Sequence, residues 1–346
     1  MQHFFESFLS GFARARGCQE TGNLDLRIAG RTIRVHLSGG GLKHLLRPLA
    51  HLSPGSPDPH SAGPDLDLYV WDGSAGWEVP PFPWDARQEW YLGEIEGVEA
   101  GGVQINHHPP SGLLCMRCGK RAVYWLPDAE KLPFWEIASP FRVIFHWWAR
   151  SFDAHVAHAA VVGKQGAGVL LTGRSGAGKS TMAIACADAG MDYVGDDYVL
   201  LERSPRPMAH ALYNSAKMHA DFLARAFPHW LPRVSGSIGP EKKSLMFLRE
   251  CMPASVVNCL PITCVMLPKI SGGRTAQLRE TTPIEGLLAL APSTIFQLPG
   301  ARTSALPFFR RWIGDLPVYD LLTGDSIASG RSLIAEFLVR QRANCR

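Results

Sequence analysis

At 346 residues the chain is long for a single core and predicts two domains. Its 46% hydrophobic and 19% charged content is that of a globular protein, and a formal net charge of +4 without any long basic run argues against nucleic acid as the main partner. The longest apolar stretch, Ala254 to Leu267, is broken by Asn258, Pro261 and Thr263, so no membrane-spanning segment is expected. Glu6, Arg14 and Arg16 interrupt the N-terminal apolar residues, which lack the pattern of a signal peptide, and a cytoplasmic location is the expectation.

Phe4, Phe5, Phe8, Leu9 and Phe12 recur at helical spacing and predict a short amphipathic helix over residues 2–13. Leu24, Leu26 and Ile28, a turn at Ala29-Gly30, then Ile33, Val35 and Leu37 predict a β-hairpin. Leu42 to Leu52 reads as a helix, and the Pro- and Gly-rich stretch Ser53 to Pro64 as a loop. Strand patterns follow at Leu66–Trp71, Val103–Ile105, Leu113–Met116 and Ala122–Trp125, so the N-terminal part, residues 1–139, is expected to be a β-rich domain that recognises a substrate or partner. Cys115 and Cys118 have the spacing of a zinc half-site with His107 and His108 nearby, but Cys259 and Cys264 do not supply a matching second pair. Strand cysteines are the preferred reading, and the eight cysteines are expected to be reduced. Pro140 to Ala154 reads as a helix leading into a second domain, residues 140–346, with its aromatic residues, Trp147 and Trp148 among them, used for packing.

The second domain carries the chemistry. After a strand at Ala159–Val162 and the apolar run Val169-Leu170-Leu171 comes Gly173-Arg174-Ser175-Gly176-Ala177-Gly178-Lys179-Ser180-Thr181. This is a G-x-x-x-x-G-K-[ST] phosphate loop in its proper context of strand, glycine-rich turn and helix. Its glycines let successive N–H groups converge on phosphate oxygens, Lys179 would reach the terminal phosphates, and the Ser180 hydroxyl would hold Mg²⁺. A helix to Ala189, a stop at Gly190 and a strand at Asp192–Val194 lead to Gly195-Asp196-Asp197-Tyr198. Adjacent carboxylates after a strand suit phosphoryl transfer to a hydroxyl, one accepting the proton and the other holding Mg²⁺.

These residues together resemble the bacterial HPr kinase/phosphorylase group and its kinase-like relatives. The resemblance covers His158 to Val162, Gly168 to Thr181 and Val194 to Val199 in one register. It implies an α/β fold with a P-loop catalytic domain similar to phosphoenolpyruvate carboxykinase, ATP and Mg²⁺ as cofactors, and a homo-oligomer. By position it implies Asp196 as the general base, Asp197 as a metal and geometry partner, and His158 as a residue near the phosphates. The glycine-rich signature that follows the paired aspartates in the HPr enzymes has no counterpart; Tyr213-Asn214-Ser215-Ala216-Lys217-Met218 stands in its place. The long β-rich N-terminal part resembles kinase relatives in peptide-modification pathways, including those acting on the C-terminal serine of lasso-peptide precursors.

The expectation is therefore a serine kinase acting on a peptide or small protein. The alternatives are a kinase of a small hydroxylated metabolite and a nucleotide-binding sensor without phosphotransfer. A further cation near the phosphates is expected from among Lys217, Lys242, Lys243, Lys269 and Arg274. Ser235 to Pro240 reads as a loop, Pro283–Leu290, Ser304–Ile313 and Gly330–Arg342 as helices, and Val318–Leu322 as a strand.

Overall fold

The computed structural model describes residues 1–53, 63–84, 102–271, 273–324 and 326–344. Two units emerge, residues 1–151 with 298–300 and residues 152–297 with 301–346. Most of the loop expected at Ser53–Pro64 lies outside the described residues. Among the described residues no helix is long and apolar enough to cross a membrane.

In the first unit, helix α1 (Gln2–Cys18) turns Phe4, Phe5, Phe8, Phe12 and Ala15 onto a sheet, as their spacing requires. Strands β1 (Thr21–Ile28) and β2 (Arg31–Ser38) form the hairpin, with both turn residues at positive φ, Ala29 at 51° and Gly30 at 71°. With β3 (Leu66–Asp72), β4 (Val103–His108), β5 (Leu113–Cys118) and β6 (Arg121–Leu126) they make six strands in the order β1-β2-β3-β6-β5-β4. The β2–β3 and β3–β6 pairs are parallel, and the β2-to-β3 crossover contains the expected helix, Gly40–Leu52, wound as a 3₁₀ segment. Pro48 inside it has no N–H to give an α-helical bond, while Leu42, Leu45, Leu49 and Leu52 are still buried. Short helices α2 (Phe134–Ala138) and α3 (Arg142–Ala149) close the unit, with Trp147 and Trp148 buried as packing residues. Cys115 and Cys118 sit on β5, the seven described cysteines are all free, and no three metal-ligating side chains gather among the described residues.

The second unit is mixed α/β. Its strands are β7 (Ala154–Ala157), β8 (Ala160–Lys164), β9 (Ala167–Leu171), β10 (Asp192–Gly195), β11 (Val199–Glu202), β12 (Met208–Ala211), β13 (Ser215–Met218), β14 (Gly236–Ile238), β15 (Lys243–Phe247), β16 (Cys259–Lys269), β17 (Gln277–Thr281) and β18 (Val318–Leu322). Its helices are α4 (Lys179–Asp188), α5 (Ala220–Ala226), α6 (Leu248–Cys251), α7 (Pro283–Ile295), α8 (Ala301–Ile313) and α9 (Ile327–Asn344). The larger sheet runs β10-β8-β9-β16-β12-β11-β7, with β18 and then β17 branching from β16. The long strand β16 makes this branching possible: its start pairs with β12, its middle runs parallel to β9, and its end runs parallel to β18. Strands β13, β15 and β14 form a separate antiparallel sheet. The expected loop at Ser235–Pro240 thus contains β14, a strand held by β15 and too short to show an alternating pattern of its own.

Helix α4 is buried from Met182 through Ala187, where small residues let it lie between the sheet and α9. Gly190 ends that stretch at a φ of 77°, a conformation open to glycine without penalty.

Candidate functional site

Strand direction brings the motifs together. Strand β8 is antiparallel to both β9 and β10, pairing Ala160 with Leu171 and Val161 with Gly195. The start of β8 therefore lies at the same sheet edge as the ends of β9 and β10. His158 precedes β8, the phosphate loop follows β9, and Asp196-Asp197 follows β10, so three separated sequence segments meet at one edge.

The loop leaves β9 at Thr172, whose N–H donates to the Met266 carbonyl of β16 at 3.1 Å. Gly173, Gly176 and Gly178 have φ of 153°, 80° and 95°, which residues with a Cβ rarely adopt. Arg174 and Ser175 are exposed on the loop, and Ala177 leads to Gly178, which caps α4 ahead of Lys179, Ser180 and Thr181. Lys179 is buried and donates to the carbonyls of Gly173 at 2.9 Å and Arg174 at 3.2 Å, tying the helix to the loop. Burial lowers the pKa of its ammonium, while the carboxylates of Asp197 and Asp196 work the other way.

The turn after β10 is equally constrained. A register shift between Tyr193 and Gly195 gives β10 an extra residue opposite β8 just before the paired aspartates. A Cβ on Gly195 would lie 2.9 Å from Val199 Cγ1, so this tight return needs glycine. Asp196 is 3% exposed and accepts the Tyr193 hydroxyl at 3.0 Å on Oδ1. Its backbone carbonyl lies 3.5 Å from Ser180 Oγ. Burial first, and the neighbouring Asp197 second, push the Asp196 carboxyl up to about 7.

Asp197 has the opposite fate. Burial works to raise it, but Lys217 Nζ at 2.7 Å from Oδ2 and His158 Nε2 at 3.2 Å from Oδ1 outweigh burial and hold the carboxyl well below its ordinary range. Of the cations singled out in the sequence, Lys217 is the one beside the aspartates, carried there by β13. Lys243 pairs with Glu241 at 2.8 Å, Lys269 pairs with Asp320 at 2.6 Å, Arg274 is exposed, and Lys242 occupies a turn at a φ of 47°.

Further residues complete the arrangement. Tyr193 and Tyr198 bracket the paired aspartates in sequence, a signal that could have marked both. Tyr198 donates its hydroxyl to Gln297 Oε1 at 2.6 Å, and Gln297 Nε2 lies 3.3 Å from His158 Nδ1. Thr294, fully buried on α7, accepts the His158 backbone N–H at 3.0 Å. Nothing in the sequence around Thr294 or Gln297 points to the site. Chemically, this edge offers a glycine-rich loop ahead of a helix N-terminus, a carboxyl raised to about 7, and a carboxylate held between a lysine and a histidine.

No protein-family model matches the chain, and no curated protein does. Among solved structures, the chain is similar to the HPr(Ser) kinase/phosphatase from Coxiella burnetii, with 16% identity over 55% of this chain and 96% of that one, at a TM-score of 0.30.

Proposed function

We propose that the chain is an ATP- and Mg²⁺-dependent kinase that transfers the γ-phosphoryl group to a serine hydroxyl of a peptide or small protein. The observation that carries this reading is the meeting of the phosphate loop with a buried carboxyl raised to about 7 at one sheet edge. The parallel run of β9 beside β16 and the placement of the loop at a strand end are compatible with a catalytic unit arranged like phosphoenolpyruvate carboxykinase.

The residues fit the nucleotide. Three glycines at positive φ leave the loop backbone free of Cβ atoms where N–H groups would face phosphates, and the N-terminus of α4 adds its partial positive charge. They fit Mg²⁺ as well: Ser180 and Asp197 would hold it. Bound ATP with Mg²⁺ would supply the phosphoryl group and neutralise its charge.

The chain's own residues do the rest. Asp196, with an affinity for protons matched to neutral pH, accepts the serine hydroxyl proton on a carboxylate oxygen. Tyr193 holds that carboxylate in place, Lys179 binds the phosphates, and Lys217 with His158 keeps Asp197 ionised beside the base. Transfer is direct, so no covalent enzyme intermediate forms.

The test is transfer from γ-labelled ATP to serine peptides encoded beside the gene, with Asp196→Asn as control. Phosphoserine on a peptide that disappears with the variant supports the reading. ATP binding without labelling of any peptide would remove the peptide acceptor, and unchanged transfer by Asp196→Asn would remove the base.

A further inference from the structure

Lys217 reaches the paired aspartates from a different sheet. Its strand, β13, belongs to the β13-β15-β14 sheet, where Lys217 pairs with Leu245, whereas Asp196 and Asp197 follow β10 of the larger sheet. The strand is seated at the site by Ser215, two residues earlier, whose carbonyl lies 3.4 Å from the Tyr193 hydroxyl. From there the Lys217 ammonium donates to Asp197 Oδ2 at 2.7 Å, and His158 Nε2 faces the other oxygen, Oδ1, at 3.2 Å. Only 27% of the Lys217 side chain and 17% of the Asp197 side chain are exposed, so water screens this pair weakly. Two demands therefore fall on Asp197: it holds an ammonium, and with Ser180 it is a residue that would hold Mg²⁺.

A carboxylate oxygen that serves an ammonium at this distance serves a second cation poorly, because like charges repel at short range where little water intervenes. We propose that Lys217 and the metal compete for Asp197 Oδ2, which makes Lys217 a positioning residue that keeps bare metal off the site until a nucleotide is present. The competition stands on the ion pair alone, and its dependence on nucleotide rests on the kinase reading. A nucleotide phosphate chain is negatively charged and offers the ammonium another partner, so it relieves the competition that bare metal meets. Lysine suits this role. Its ammonium is a compact charge on a flexible alkyl stem, able to leave one oxygen for another while β13 stays in place.

The test is metal affinity, read without any phosphotransfer. Mn²⁺ is titrated into the full-length protein without nucleotide at pH 8, and free Mn²⁺ is followed by its paramagnetic resonance signal. Lys217→Met and Lys217→Gln both remove the charge and keep much of the side-chain length. Each should bind bare Mn²⁺ about tenfold or more tightly than the unaltered protein, whereas Lys217→Arg, which keeps the charge, should not. Adding Asp197→Asn to Lys217→Met should abolish the gain, which locates it at this carboxylate. With a non-transferable ATP analogue, the unaltered protein should gain more metal affinity than Lys217→Met does. A lysine that only supports the fold predicts the opposite sign, weaker metal binding once it is replaced. Equal or weaker bare-metal affinity in both charge-removing variants, or a gain that survives Asp197→Asn, overturns the proposal. An analogue that raises metal affinity equally in the two proteins overturns the nucleotide dependence. If the analogue does not bind at all, the kinase reading falls and the bare-metal comparison alone decides the competition.

Discussion

Each unit buries one carboxyl against a tyrosine, and the two pairs serve different ends. Glu136 and Asp196 are both 3% exposed; Tyr124 donates to the first at 3.2 Å and Tyr193 to the second at 3.0 Å. Burial raises the pKa of both. Both face a cation, Arg142 for Glu136 and Lys217 for Asp196, but Glu136 also accepts the Phe141 N–H at 3.1 Å, whereas Asp196 also faces a second carboxylate, Asp197. A carboxyl beside a cation and a backbone donor fastens a helix turn, here the one where Phe141 has a φ of 60°. Next to another carboxylate and a phosphate loop, the same group is poised to take up a proton near neutral pH.

The largest expected effect breaks the site half of this comparison. Asp196→Asn removes the proposed proton acceptor while keeping the shape, so transfer should fall by roughly 10²- to 10⁴-fold with ATP affinity retained, as measured by single-turnover transfer and by calorimetry. Lys179→Ala should instead lose ATP binding itself, since its ammonium, tied to the Gly173 and Arg174 carbonyls, is the group that would reach the phosphates. If both variants fail in the same way, the division between binding and chemistry is wrong.

The pH dependence sharpens the same contrast. A base with a pKa of about 7 must lose its proton to act, so kcat/KM should rise through that pH and level off above it. Stability should move the opposite way. The Asp196 pKa is raised from an ordinary 3.8 to about 7, so over that window the folded state binds the proton more tightly and loses stability as pH rises. Asp196→Asn removes this dependence and should melt at a higher temperature than the unaltered protein above pH 7. A Tm difference that does not change with pH would contradict the raised pKa.

Much of this arrangement was legible in the sequence, for physical reasons that also mark where reading stops. The phosphate loop and the paired aspartates are local patterns, so their residues could be named without knowing the fold. The α1 phenylalanines and the β1–β2 hairpin are likewise written in short-range periodicity and turn chemistry. Strand β14 reads as a loop because it has three residues, two of them exposed, and so carries no alternating apolar pattern, although its partner β15 follows directly in the chain. The Gly40–Leu52 segment has helical apolar spacing, but Pro48 removes a backbone donor and the turn tightens to 3₁₀. Lys217 stood among several cations because only the pairing of β13 with β15 determines which one reaches the aspartates. Gln297, far from His158 in the chain, left no local trace at all.

Glu136→Gln probes the other carboxyl. The amide oxygen can still accept from Tyr124 or Phe141, and because burial outweighs Arg142 and raises this carboxyl, removing its charge should change the first unit's stability by no more than about 1–3 kcal/mol in denaturant unfolding. ATP affinity should not change. A fall in ATP affinity equal to that of a site variant would mean that Glu136 acts in nucleotide binding and not only in packing.

The smallest effect concerns α1. Gly11 faces the sheet, where a Cβ would come 2.6 Å from Trp71 Cη2 and 2.7 Å from Trp77 Cε2. Trp71 is fully buried and its ring packs edge-on against Phe8 at 6.3 Å and against Trp77 at 5.1 Å, so it cannot move aside without disturbing that cluster. Forcing a methyl group into such a contact costs about 1–3 kcal/mol. Replacing a mid-helix glycine by alanine returns about 1 kcal/mol through lower backbone entropy in the unfolded chain. Gly11→Ala should therefore lower Tm only slightly, by a few degrees, which differential scanning calorimetry resolves. A rise in Tm would show that the tryptophans yield to the methyl group and that helix propensity, not aromatic contact, determines the residue at this position.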